Sequence, residues 1–230
     1  MTDARSASMK NETTFTCVIL GGGGHASVLI DSMFVGGYTA PCAVLDSNPA
    51  LWGKDLFGVP ILGGDDLLPG LVGQGTSHFV VGLGSAGDNR PRQRLFELGL
   101  AHDLLPFTVV HPAAIYSRWA ILGPGAQVLP TSVVNAGARL GANVIVNTGA
   151  VVEHDCVLGD HVHVATGATL ASTVRVGTGA HIGAGASVRQ CVNVGEWAIV
   201  GAGSVVIKDV PSRTIVVGVP AEEMRKHNQE

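Results

Sequence analysis

Residues 150–168 read AVVEHDCVLGDHVHVATGA, placing His154, His161 and His163 with Glu153, Asp155 and Asp160 in a run of small and aliphatic residues, in a chain only 14% charged. An imidazole beside a carboxylate, as in His154–Asp155, can take a proton from an attacking nucleophile near neutrality. Several histidines can instead converge on a metal ion, but the positions 154, 161, 163 and 181 give no close H-x4-H pair, so no metal is expected. Cys17, Cys42, Cys156 and Cys191 form no CxxC pair and read as inert thiols of a reducing compartment. Which chemistry is available depends on the elements that hold these side chains.

From Ile121 the chain cuts into sixes: ILGPGA, QVLPTS, VVNAGA, RLGANV, and so on to VVIKDV, fifteen consecutive hexads over residues 121–210 without an insertion. The second position is Leu, Val or Ile in all fifteen, and the sixth is Ala, Ser, Cys or Val in all fifteen. One obligatory aliphatic and one small residue every six describe a chain that turns a corner every six residues, its aliphatics pointing inward. Three sides close a coil of eighteen residues, so five coils stacked at about 4.8 Å make a prism of roughly 24 Å. This is the hexapeptide parallel β-helix. Residues eighteen apart lie one above the other, so His154 stacks with Ser172 and His163 with His181. His154 and His163 lie half a turn apart and meet at one site only across an interface between copies. His161 and His181 are expected simply to line that interface.

Between Thr16 and about Pro112 the rhythm differs. The segments FTCVIL, APCAVLD and SHFVVGLG read as strands; ASVLIDSMF, GDDLLPGLV and NRPRQRLFELGL read as helices. Strand, glycine turn, helix, strand describes a small Rossmann-like parallel α/β domain. The expected organisation is a disordered tail over 1–14, an α/β domain over 15–112, a parallel β-helix over 113–218 and a C-terminal tail over 219–230. The loop ILGGGGHA, between strand and helix, is suited to a phosphate at the helix N-terminus or is simply a tight turn. Asp46, at the end of the second strand, has the spacing from Gly24 of a ribose or base contact.

A net charge of −4 offers no basic surface for nucleic acid, and glycine, at 32 of 230 residues, is about twice its usual share. MTDARSASMKNETT has no apolar stretch of a signal peptide, and no run of about 18 apolar residues exists, so a cytoplasmic protein without a membrane segment is expected.

The ordered set GGGGHASVLID, VLDSNP, GVPILGGDD, NTGAVVEHDCVLGDHVHVATGA and VVGVPAEEM resembles the sialic acid O-acetyltransferase-like branch of the hexapeptide acyltransferases. That branch includes N-acetyltransferases of nucleotide-linked 4-amino-4,6-dideoxy sugars, of bacillosamine and perosamine type. The resemblance implies that the β-helix is left-handed and that the α/β domain over 15–112 binds the nucleotide-sugar. It also implies a homotrimer with active sites between adjacent prisms, acetyl-CoA as co-substrate and a role in polysaccharide biosynthesis. It implies His154 as general base, Asp155 as its orienting carboxylate, where the bacillosamine branch commonly has glutamate, and His163 in contact with the acyl-CoA. The Ser172 N–H would polarise the thioester carbonyl, and Gly183, Gly201 and Ala202 would let the pantetheine arm run along the coils. Gly23, Gly24, His25, Asp46 and Gly63 would contact the nucleotide-sugar. The segment GLGSAGDNRPR, before the family's N-x-x-R, is longer than the usual turn at the nucleotide. Three other readings stand beside this one: a sialic acid or related sugar O-acetyltransferase, a γ-carbonic-anhydrase-like metalloenzyme, and a nucleotide-sensing scaffold without chemistry.

Overall fold

The computed structural model describes residues 16–224; the tail expected over 1–14 and the last six residues of the chain lie outside the described residues. The N-terminal elements are β1 (Cys17–Leu20), α1 (Gly24–Val35), β2 (Ala43–Leu45), β3 (Asp55–Leu56), β4 (Val59–Gly63), α2 (Leu68–Gly73), β5 (His78–Val81), α3 (Arg90–Ala101) and β6 (Leu105–Pro106). They form a sheet of order β3-β4-β2-β1-β5-β6, parallel except for the β3–β4 pair. Alternate residues of β1 point to opposite faces, so Ile19 packs with Ala26, Ile30, Val44 and Ile61, while Val18 and Leu20 pack with Leu45, Phe79 and Phe96. The expected strands and helices are present. The added β3–β4 hairpin carries no long apolar run, and Pro60 interrupts its pattern.

The prism closes as expected, with three parallel columns of two-residue strands. The first face climbs from Val109–Val110 through Gln127, Ile145, His163 and His181 to Ile199 and Ile215. The second climbs from Ile115–Tyr116 to Val205–Val206, and the third from Ile121–Leu122 to Asn193–Val194. Two hexads therefore precede Ile121, the second with Tyr116 where an aliphatic would stand. Every sixth-position residue from Ala126 to Val210 is buried, and of the second-position residues from Leu122 to Val206 only Leu122, on the lowest coil, is partly exposed. Past Gly218, Glu222–Glu223 pair antiparallel with Val216 and Val217.

The corner has a backbone cause. The fifth residue of the hexads is left-handed in fourteen of the fifteen, with φ between +56° and +74°. Glycine fills half of these; Thr131, Asn143, Asp155, His161, Thr173, Cys191 and Trp197 fill the rest at a cost of about 1–2 kcal/mol each. Asp155 and His161 thus stand at corners, where the side chain leaves the prism sideways.

The two parts of the chain pack tightly. Leu29 and Met33 of α1 meet Val109, Leu129 and Ile145 on the first face. Phe96 of α3 meets the His161 ring at 5.6 Å, and Arg90 lies 5.6 Å from the Trp197 ring, so α3 runs along the corner between the third and first faces. The first face is therefore covered by the chain's own α/β domain.

Candidate active site

His154 follows the second-face strand Val151–Val152, at the corner between the second and third faces, opposite the covered first face. Its side chain is 53% exposed, and its Nδ1 lies 2.9 Å from Asp155 Oδ2. With the carboxylate accepting from Nδ1–H, the Nε2 lone pair points outward and is available to take a proton. Glu153 braces the turn from the other side: its Oε2 accepts from Asn135 Nδ2 at 3.0 Å and from the His154 N–H at 3.1 Å. Gly137 lies under Asp155; a Cβ there would come 2.4 Å from Oδ1, so only glycine leaves that carboxylate in place.

Fourth-position N–H groups point out of the prism and find partners locally where a side chain allows it. That of Ala136 donates to Asn135 Oδ1 and that of Thr148 to Asn147 Oδ1, both at 2.8 Å. The Ser172 N–H has no acceptor among the described residues. Ser172 stands one coil above His154, as Thr173 N–H donates to His154 O at 3.0 Å. An outward base and, one coil on, an outward free donor suit proton removal beside a developing oxyanion.

The other expected acyl-site residues differ in setting. His163 is buried on the first face, stacked edge-on against His181 with ring centroids 5.0 Å apart, as the eighteen-residue register predicts. Its Nε2 faces Asn147 Nδ2 at 3.1 Å and its Nδ1 faces Ser85 Oγ at 3.0 Å, so within one chain it offers acyl-CoA no free nitrogen. Asn147 Oδ1 accepts from Thr148 N–H, so Nδ2 must donate to Nε2, and His163 carries its proton on Nδ1. Gly183 is small for a packing reason: a Cβ would come 2.6 Å from Ala202 N and Val200 O on the next coil. Gly201 sits under Val217, whereas Ala202 is exposed.

In the α/β domain, Gly23 and Gly24 are exposed and open the first turn of α1 with free space around them, as a phosphate requires. Asp46 buttresses this loop: its carboxylate accepts from Gly22 N–H at 2.6 Å and from Asn48 N–H at 2.8 Å. Gly63 is buried and its carbonyl accepts from Asp46 N–H at 2.8 Å, so it holds Asp46 rather than the open cleft. His25 turns toward the prism, its Nε2 2.7 Å from Gln127 Oε1.

The seam between the parts holds polar residues to which the sequence reading gave no role, among them Asn89 and Arg92 of the N-x-x-R motif. Asn89 and Arg92 are fully buried; Asn89 donates to Gly179 O and Ala180 O at 3.1 Å and accepts from the Ser85 hydroxyl. Ser85 Oγ also lies 3.2 Å from His181 Nδ1, and His161 Nδ1 lies 3.0 Å from Asn143 Nδ2. Burial and the Arg92 charge hold His25 at about 4, and burial alone holds His181 at about 4. Burial, with His181, His25 and Arg92 as neighbours, holds His163 well below the ordinary histidine value, and burial lowers His161. These imidazoles are neutral in the working range. A periodic signal for this seam exists: first-position residues at 127, 163 and 181 are Gln, His and His, stacked on the first face. Among the described residues no three His, Cys, Asp or Glu side chains are grouped to hold a metal ion, and no helix is long and apolar enough to cross a membrane.

The sequence model of the PglD N-terminal domain matches residues 16–98, and that of the bacterial transferase hexapeptide (six repeats) matches residues 137–172. Perosamine N-acetyltransferase from Caulobacter crescentus, solved as a histidine-to-asparagine variant with CoA and GDP-perosamine, is 39% identical, with a TM-score of 0.87 over 93% of this chain and 98% of that one. PerB from the same organism, also with CoA and GDP-perosamine, is 40% identical over 92% and 98%, with a TM-score of 0.85. This chain belongs to the hexapeptide sugar N-acetyltransferases. The acetyltransferase domain of PglB from Neisseria gonorrhoeae, solved with acetyl coenzyme A, is 33% identical over 91% and 98%, with a TM-score of 0.82. No curated protein sequence matches this acetyltransferase.

Proposed function

We infer that this acetyltransferase moves the acetyl group of acetyl-CoA to the 4-amino group of a nucleotide-linked 4-amino-4,6-dideoxy sugar, by direct transfer in a ternary complex. One observation carries the reading: an outward imidazole, anchored by Asp155 at 2.9 Å, stands beneath the free N–H of Ser172. The sugar nitrogen attacks the thioester carbonyl carbon while His154 Nε2 takes the amine proton. Ser172 N–H donates to the oxygen as it gains charge, the C–S bond breaks, and coenzyme A leaves with the electron pair. Each of these aids has a known scale, about 10²- to 10⁴-fold for the base and about 3 kcal/mol for the donor. CoA and GDP-perosamine bound in the Caulobacter relatives support the substrate class.

The placement of the site supports a homotrimer. His154 lies at the corner opposite the face that its own α/β domain covers, so the sugar held by one copy reaches the His154 of another. The second face provides a surface for that contact: its outward residues Ile115, Val133, Val151, Thr169, Ser187 and Val205 carry no charge and are at least partly exposed. Gly23 and Gly24 hold the nucleotide phosphates, Asp46 shapes their loop, and Ala202 borders the pantetheine path.

The test is release of free coenzyme A with a panel of UDP-, GDP- and dTDP-linked 4-amino-4,6-dideoxy sugars, wild type beside His154→Ala. Turnover of one sugar, lost by 10²-fold or more in the variant, is expected. Turnover that survives the substitution refutes the base; turnover of sialic acid hydroxyls alone refutes the amine.

A further inference from the structure

We propose that Arg92 and Gln127 are positioning residues that fix the nucleotide-sugar loop on the prism by sharing the carbonyl of Val81. The inference rests on the function proposed above. Arg92 Nη1 donates to Val81 O at 3.0 Å and to Leu83 O at 2.8 Å, while its Nε lies 3.4 Å from Asn143 O on the prism. Gln127, on the first face, donates from Nε2 to the same Val81 O at 2.9 Å and accepts from His25 at 2.7 Å. One hydrogen-bonded chain therefore runs from the glycine loop, through a prism side chain, to the end of β5 and back to a prism corner.

The chemistry of this chain is costly. Arg92 is fully buried, no carboxylate is bonded to it among the described residues, and its Nη2 has no partner there. A buried charge of this kind is a net penalty, and an apolar side chain of similar volume is often neutral or stabilising in its place. Packing alone gives no reason for a guanidinium here. Its fork supplies something an aliphatic chain does not: simultaneous bonds to two carbonyls of the 81–83 segment and one of the prism. That segment adjoins the glycine loop, since Gly82 N–H donates to Leu20 O at 2.7 Å and a Cβ on Gly82 would come 2.1 Å from Gly21 O. Fixing its carbonyls fixes where the sugar-bearing loop stands relative to the coils.

The test separates this role from a structural one by the sign of two effects. Arg92→Met is expected to melt no lower than wild type yet lose about 100-fold in kcat, the scale of a misplacement of about 1 Å, with both KM values within twofold. Arg92→Lys, which keeps the charge but not the fork, is expected to stay impaired. An unchanged kcat overturns the proposal, as does a rise in the sugar KM alone, which would mark a ligand contact. Where Arg92→Met does not fold, Gln127→Met is read by the same criteria. If wild type turns over no amino sugar, the functional reading fails and hydrogen–deuterium exchange decides the clamp. Faster exchange in Arg92→Met confined to residues 82–89 and the first turn of α1 supports it; an unchanged pattern overturns it.

Discussion

Acidification should loosen this protein far more steeply than its surface carboxylates alone would do. His163 and His181 are buried and His25 half-buried around Ser85 and Gln127, and all three sit below their ordinary value of 6.5, at about 4 for His25 and His181. In the unfolded chain each titrates near 6.5, so between pH 6.5 and about 4 the unfolded state binds protons that the native state refuses. Stability is therefore complete above pH 6.5 and is lost as pH falls toward 4. From pH 7.5 to 5.0 His25 and His181 each forfeit about 2 kcal/mol, about 4 kcal/mol together, and His163 adds a loss of the same sign. Asp65, whose carboxyl is raised by burial and by Asp46 and Asp66, works in the opposite sense. The assay is equilibrium urea unfolding at fixed ionic strength at pH 7.5, 6.5, 5.5 and 5.0, on wild type and His181→Gln. The variant should lose about 2 kcal/mol less over the same range. A midpoint that stays flat to pH 5.0 in wild type would refute the reasoning, because it would mean that the seam accepts protons in place.

Asp155→Asn leaves His154 Nδ1 facing an amide in place of a carboxylate; kcat should fall, by less than for His154→Ala, with the acetyl-CoA KM unchanged in steady-state kinetics. Gly137→Ala forces a Cβ to 2.4 Å from Asp155 Oδ1 and should mimic that loss. Asp46→Ala removes the acceptor of the Gly22 and Asn48 N–H groups and should raise the KM for the nucleotide-sugar while leaving that for acetyl-CoA unchanged. Gly179→Ala meets a left-handed backbone at φ +69° and a Trp197 ring carbon 2.4 Å away. It should cost at least about 1–2 kcal/mol, read as a lower melting temperature.

The prism was legible in the sequence because its geometry is periodic and local. A corner every six residues demands an inward aliphatic and a small residue at fixed places, and the eighteen-residue coil then sets the registers His163–His181 and His154–Ser172. Strand and helix order in the α/β domain followed from β-branched runs and glycine turns, with the hairpin around Pro60 and the two-residue edge strand Leu105–Pro106 overlooked. The His154–Asp155 pair was also legible, since adjacent residues at a corner meet whatever the remainder of the chain does. The seam was not. Asn89 and Arg92 lie 90 and 51 residues in sequence from the prism carbonyls of Gly179 and Asn143 that they meet, and only the docking of α3 along one corner brings them there. That docking decided that His163 is enclosed, that His25 faces Gln127, and that the first face is the covered one. Local periodicity fixes which residues leave the prism; which of them meet another part of the chain is set by long-range packing, for which six-residue spacing carries no signal.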